Sequence, residues 1–60
     1  MIEIVLVNGK VFENNPDLGF NSKSVKEIQE SLEEFGEYLL TVDRTRYKIL
    51  QKHVVEIREK

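Results

Sequence analysis

Apolar residues alternate with other side chains at the start of the chain, and this period of two predicts a β-strand. One face of the strand carries Ile2, Ile4 and Leu6. Asn8-Gly9 follows, and this dipeptide is typical of a two-residue type I′ turn because both residues tolerate positive φ. Residues 10–13 are therefore predicted to return as the second strand of a hairpin.

An amphipathic helix is predicted after a loop over residues 14–21, in which Leu18 and Phe20 are expected to fold back onto the core. Ser24 and Glu27 form a capping box at the start of the helix. Gly36 is expected to end it in the left-handed conformation. Spacings of three and four place one apolar stripe between these caps, made of Val25, Ile28, Leu32 and Phe35.

Alternation resumes in the last third of the chain and predicts three more strands, over residues 37–43, 47–50 and 54–57. A tight turn is expected at residues 43–46 and a short 3₁₀-like turn at residues 51–53. The fold class that follows is mostly β with one helix (α+β), in β-β-α-β-β-β order. We expect a small five-stranded antiparallel barrel whose open end is closed by the helix, with no ligand cavity inside.

The chain has 60 residues, which leaves room for a single domain, 1–60, with a marginal core. It has no cysteine, so disulfides and thiolate zinc sites are excluded, and one histidine alone does not build a metal site. We therefore expect no metal or cofactor, and assembly into a homo-oligomer as the source of added stability. No apolar run approaches the roughly 20 residues of a membrane span, and no signal peptide is evident, which predicts a cytoplasmic protein.

Catalytic chemistry is not expected. His53 is the only side chain suited to acid–base work near neutral pH, and Ser22 and Ser24 stand where a helix cap is needed. The three glycines are scattered, so they form no phosphate-binding loop. The chain is predicted to bind a partner and not to be an enzyme.

Two charged surfaces are candidates for that binding, although the net charge is only −2. The helix over residues 24–36 carries an acidic face, which is either a solvated surface or a nucleic-acid mimic of the kind used by small phage or mobile-element inhibitors of host proteins. That face comprises Glu27, Glu30, Glu33, Glu34 and Glu37. The C-terminal third carries a basic group with tyrosines nearby, which either protects an edge strand or binds single-stranded RNA. Its members are Arg44, Arg46, Lys48, Lys52, His53 and Arg58.

Two segments resemble the bacterial Sm-like RNA chaperones of the Hfq type. Residues 4–10 are similar to that family's opening hairpin with its Leu-Val-Asn-Gly turn, and residues 49–57 to its closing segment with a Lys-His pair in a 3₁₀ turn. The resemblance covers about residues 2–13 and 37–58. It implies an Sm-like or SH3-like barrel that forms a ring by pairing the last two strands of neighbouring subunits.

The same resemblance implies that Lys52 and His53 contact uridine and that Tyr38 stacks on the base, with Arg44, Arg46 and Lys48 as supporting basic residues. The chain departs from the family in lacking its N-terminal helix and in carrying a helix between the second and third strands. Glu37 also replaces the glutamine that precedes the stacking aromatic, and Val5 replaces the aromatic of the opposite face. The leading hypothesis is an oligomeric single-stranded RNA-binding protein. The alternatives are a protein-interaction module that uses the acidic helix, and a pure assembly subunit.

Overall fold

The computed structural model describes all 60 residues, Met1 to Lys60. The predicted order of five strands and one helix is confirmed, and the chain is mostly β. The elements are β1 (Ile2–Leu6), β2 (Val11–Asn14), α1 (Val25–Phe35), β3 (Glu37–Val42), β4 (Thr45–Leu50), a 3₁₀ turn (Gln51–His53) and β5 (Val54–Glu59).

The strands form two open antiparallel sheets. β1 lies between β2 and β5 in one sheet, and β3 pairs with β4 in the other. A closed five-stranded barrel would also need backbone pairing between the sheets, whereas β2 and β3 are joined by a side-chain hydrogen bond from the Tyr38 hydroxyl to Asn14. β2 is only four residues long and ends at Asn14.

The hydrophobic core lies between the two sheets and the helix. Ile2 and Ile4 of β1 are buried in this core, as the alternation of β1 predicted. The helix stripe is confirmed for Ile28 and Leu32, which are also buried, and for Val25, which packs against the core. The remaining buried apolar residues come from β3 and β4 and are Tyr38, Leu40 and Ile49.

Two aromatic residues predicted in the core are instead on the surface. Phe20 is 89% exposed and Phe35 is 68% exposed. Phe35 is the last residue of α1, just before Gly36, whereas the buried helix residues Leu32 and Ile28 lie one and two turns earlier. Asn21, next to Phe20, is buried instead.

The first hairpin forms where predicted, but its turn differs from the type I′ prediction. Gly9 has a φ of +86° while Asn8 does not have a positive φ. Gly9 N–H donates to the Leu6 carbonyl at 2.9 Å and Leu6 N–H donates to the Lys10 carbonyl at 2.8 Å. Three residues, 7–9, therefore lie between the hydrogen-bonded Leu6 and Lys10, with a left-handed glycine as the last of them. The strand β2 begins at Val11, one residue later than predicted.

The helix caps follow the predicted chemistry. The Ser24 hydroxyl accepts from Glu27 N–H at 3.2 Å, and Gly36, with a φ of +72°, donates to the Leu32 carbonyl at 2.9 Å. The Glu27 carboxylate accepts from the Ser24 hydroxyl at 3.5 Å and not from its N–H, so the capping box is only half formed. This helix of 11 residues is too short and too polar to cross a membrane.

Candidate nucleic-acid interface

Lys52 and His53 lie in the 3₁₀ turn between β4 and β5, where the sequence predicted them, and both are exposed. Two backbone hydrogen bonds hold this turn against other elements. Gln51 N–H donates to the Gly36 carbonyl at 3.0 Å, and Val7 N–H donates to the His53 carbonyl at 2.9 Å. The two basic side chains are thus presented from a backbone anchored to the end of α1 and to the first hairpin.

The supporting basic residues follow the β3–β4 hairpin. Arg44 lies in its two-residue loop, and Arg46 and Lys48 lie on β4; all three are exposed. Lys48 is the cross-strand partner of Leu39, so the alternation of the strands places Arg46, Lys48 and Leu39 on the same face of the hairpin. This outer face points away from the core that Tyr38 and its neighbours fill.

Tyr38 is only 5% exposed, which does not suit the base-stacking role predicted from the resemblance. Its hydroxyl donates to Asn14 Oδ1 at 2.5 Å and accepts from Ser22 N–H at 2.8 Å. Asn14 Nδ2 donates to the Ser22 carbonyl at 2.8 Å. The tyrosine therefore joins β2, β3 and the loop before the helix, and only a small edge of it is exposed.

A second buried amide holds that loop to β3. Asn21 Oδ1 accepts from Thr41 N–H at 2.8 Å, and Asn21 Nδ2 donates to the Thr41 carbonyl at 2.9 Å, so the side chain pairs with the backbone as a neighbouring strand would. The same Nδ2 donates to the Asn15 carbonyl at 2.9 Å. Sequence reasoning assigned Asn14 and Asn21 to a loop, because asparagine is typical of turns and nothing local distinguishes a buried one.

An apolar cleft opens on the outer face of the hairpin, and sequence reasoning did not predict it. Phe20 and Phe35 line it together with Leu39, which is 50% exposed, and its volume is about 330 Å³. The Arg46 guanidinium lies over the Phe20 ring, 5.6 Å from the ring centroid. Exposed apolar patches of this kind commonly mark binding sites.

The acidic helix face is exposed as predicted. Glu27, Glu30, Glu33 and Glu34 are open to solvent and make no ion pair. Glu37, at the start of β3, is half-buried, and its Oε2 lies 3.8 Å from Lys48 Nζ. This ion pair offsets the negative charge that Glu37 would otherwise place beside the basic hairpin face.

A separate carboxylate joins the two ends of the chain. Glu3 on β1 is buried, and its Oε1 accepts from Arg58 Nε at 2.8 Å while its Oε2 lies 3.3 Å from Lys60 Nζ. The hydrogen bond from Arg58, assisted by Lys60, lowers the pKa of Glu3 below its ordinary value and outweighs the opposing effect of burial. The same ion pair raises the pKa of Arg58.

The exposed residues that were predicted to contact RNA therefore form two separate groups. Lys52 and His53 are together on the 3₁₀ turn, and Arg46 and Lys48 are together on the outer hairpin face, while Tyr38 belongs to the core.

No protein-family model, no curated protein and no solved structure matches this chain.

Proposed function

We propose that this chain is a non-catalytic binding protein whose copies associate into a ring and that contacts single-stranded RNA through Lys52 and His53. In this proposal the two sheets and the helix constitute an Sm-like barrel, and Arg44, Arg46 and Lys48 add electrostatic attraction for phosphates. Tyr38 has a structural role. The observation that carries the proposal is the anchored, exposed Lys52-His53 pair between two strands with unpaired edges.

The unpaired edges give a reason for association. β4 is hydrogen-bonded only to β3, and β5 only to β1, so each presents a free edge, and both strands are six residues long. Such an edge is a template for pairing with another chain. Because the two edges belong to different strands, pairing β4 of one copy with β5 of the next is head-to-tail, and it closes into a ring if the rotation allows.

Charge on the two strands favours this pairing. β4 carries Arg46 and Lys48, whereas β5 carries Glu56 and Glu59 along with Arg58. Opposite charges across neighbouring strands stabilise the pair by about 0.2–1 kcal/mol each. A ring would repeat the Lys52-His53 pair once per subunit, and repeated cations attract a polyanion in a salt-dependent way.

Assembly and binding are tested on the purified chain by light scattering and by fluorescence anisotropy with a labelled oligouridylate. We expect a mass several times that of the monomer, and RNA affinity that falls steeply with salt. Lys52→Ala and His53→Ala should weaken binding, and Lys52→Ala should reduce the salt slope by about 0.7 because one phosphate contact is lost. Lys26→Ala, which removes an exposed lysine from α1, is the matched control.

A monomer at every concentration would contradict the ring. Absence of salt-dependent binding, or equal affinity for the Lys52 and Lys26 variants, would contradict the RNA site.

The second candidate is a protein-interaction module that uses the acidic helix, and the four exposed glutamates without ion pairs favour it. If this candidate is right, the immobilised chain should capture one protein in stoichiometric amount from a host lysate that has been treated with nuclease. The double variant Glu30→Lys, Glu34→Lys should abolish that capture, because the charge on the helix face is reversed. Capture that survives the reversal would show that the acidic face has no part in it.

A further inference from the structure

Two phenylalanines that are distant in sequence meet at one exposed cleft. Phe20 comes from the loop before the helix and Phe35 from its last turn, and they are the two most exposed of the large apolar side chains. Each costs free energy by remaining in contact with water, and neither contributes to the core. A pair of aromatic faces that the fold leaves open is suited to receive a flat, apolar group.

The chemistry around the cleft favours an anionic partner for that flat group. Arg46 lies over the Phe20 ring at 5.6 Å, and Lys48 is on the same face of the hairpin. One carboxylate, that of Glu37, also belongs to a residue lining the cleft, and its charge is offset by Lys48, whose Nζ lies 3.8 Å from Glu37 Oε2. Ser31 and Thr41, two residues with hydroxyl groups, also line the cleft.

We infer that this cleft binds one base of a single-stranded RNA, stacked on Phe20 or Phe35, with Arg46 on a neighbouring phosphate. The inference rests on the proposed function and supplies the stacking contact that the burial of Tyr38 removes. The volume of about 330 Å³ is near the lower end of ligand pockets, which run from about 300 to 1,000 Å³, so it suits one base better than a strand or helix of a protein. Aromatic stacking next to an arginine is how single-strand binders hold bases.

The first test compares Phe20→Ala and Phe35→Ala with Val11→Ala, an exposed apolar residue that does not line the cleft. The probes are an oligouridylate and an abasic strand of equal length. At least one phenylalanine variant should bind oligouridylate about five- to a hundredfold more weakly, because stacking is lost. Its affinity for the abasic strand and its salt slope should not change, since no phosphate contact is lost.

The second test uses the absence of tryptophan in the chain. Phe20→Trp places the only tryptophan of the chain at the cleft while keeping an aromatic face, and its emission is excited selectively at a wavelength where the two tyrosines do not absorb. Oligouridylate should quench its emission with the dissociation constant found by anisotropy, whereas the abasic strand should not. Phe20→Leu, which keeps apolar bulk without an aromatic face, should bind as weakly as Phe20→Ala.

The two proposals fail in different ways. If both phenylalanine variants bind like Val11→Ala while Lys52→Ala binds weakly, the base-binding cleft is wrong and the proposed function stands. If the unmodified chain binds no RNA, both are wrong. If Phe20→Ala lowers the assembled mass in light scattering, the cleft is a contact between copies, and the base-binding inference is overturned.

Discussion

At the scale of single residues, three buried polar side chains, those of Tyr38, Asn14 and Asn21, hold the loop before the helix against β2 and β3. The resemblance assigns Tyr38 to a bound base, but the fold buries its ring and uses both hydrogen-bonding capacities of its hydroxyl. Asn14 and Asn21, predicted as loop residues, carry the polar contacts that join the loop to the sheets. Buried polar groups of this kind are costly unless every partner is present.

Tyr38→Phe should therefore lower the free energy of unfolding. The change removes one donor and one acceptor, and it leaves Asn14 Oδ1 and Ser22 N–H without their partner, at a cost of about 1–3 kcal/mol. Tyr47→Phe is the control, because the Tyr47 hydroxyl makes no hydrogen bond within the protein and the residue is exposed. Urea denaturation measures the free energy of unfolding of both variants. Equal midpoints for the two would contradict a structural role for the Tyr38 hydroxyl.

At the scale of elements, the hairpins and the helix form as local patterns predict, while the loop before the helix depends on contacts distant in sequence. Its Gly19 has a φ of +52° and lies so close to β3 that a Cβ atom would be 2.6 Å from Thr41 Oγ1. Gly9, in the first hairpin, has a similar positive φ, but a Cβ there would meet open space. Substitution of Gly9 therefore tests only the strain of a side chain at positive φ, whereas substitution of Gly19 tests that strain together with the clash against Thr41.

Gly9→Ala is expected to cost about 1–2 kcal/mol, because alanine is strained in the left-handed conformation. Gly19→Ala should cost that amount and about 1–3 kcal/mol more, because the loop must also move away from Thr41. Thermal and urea unfolding of the two variants gives the comparison. A smaller loss for Gly19→Ala than for Gly9→Ala would mean that the loop does not pack on β3 as described.

At the scale of the whole molecule, the two ends of the chain lie side by side on β1 and β5 of the three-stranded sheet. Lys60 N–H donates to the Met1 carbonyl at 2.8 Å, and Glu3 joins Arg58 and Lys60 across β1 and β5. Because the pKa of Glu3 is lowered in the folded protein, its ionised form stabilises the fold. That contribution is present above the ordinary glutamate pKa of 4.5 and is lost as the pH falls through the lowered value.

The unfolding free energy should accordingly decrease as the pH is lowered from about 6 to about 3. Glu3→Gln should be less stable than the unmodified chain near neutral pH and should show a smaller decrease on acidification, since the titrating group is gone. Glu13→Gln, on the exposed side of β2, is the control and should keep the full decrease. An identical pH profile for Glu3→Gln and the unmodified chain would rule out this role for Glu3.

Sequence alone determined the features that depend on neighbours a few residues apart. Turn and cap chemistry at Asn8-Gly9, Ser24 and Gly36 predicted where the first hairpin and the helix begin and end. The break in alternation at residues 51–53 predicted the turn that exposes Lys52 and His53. Such local preferences act within one or two turns of backbone, so they survive in almost any fold.

Only the tertiary structure decided which faces of the strands and the helix are buried by other elements. It divided the strands between two open sheets, buried Tyr38, and left Phe20 and Phe35 at a cleft beside Arg46. The reason is that burial depends on which element packs against each face, and that pairing involves residues far apart in the chain. Periodicity gives the direction of a side chain but not the neighbour it meets, so the candidate cleft required the folded molecule.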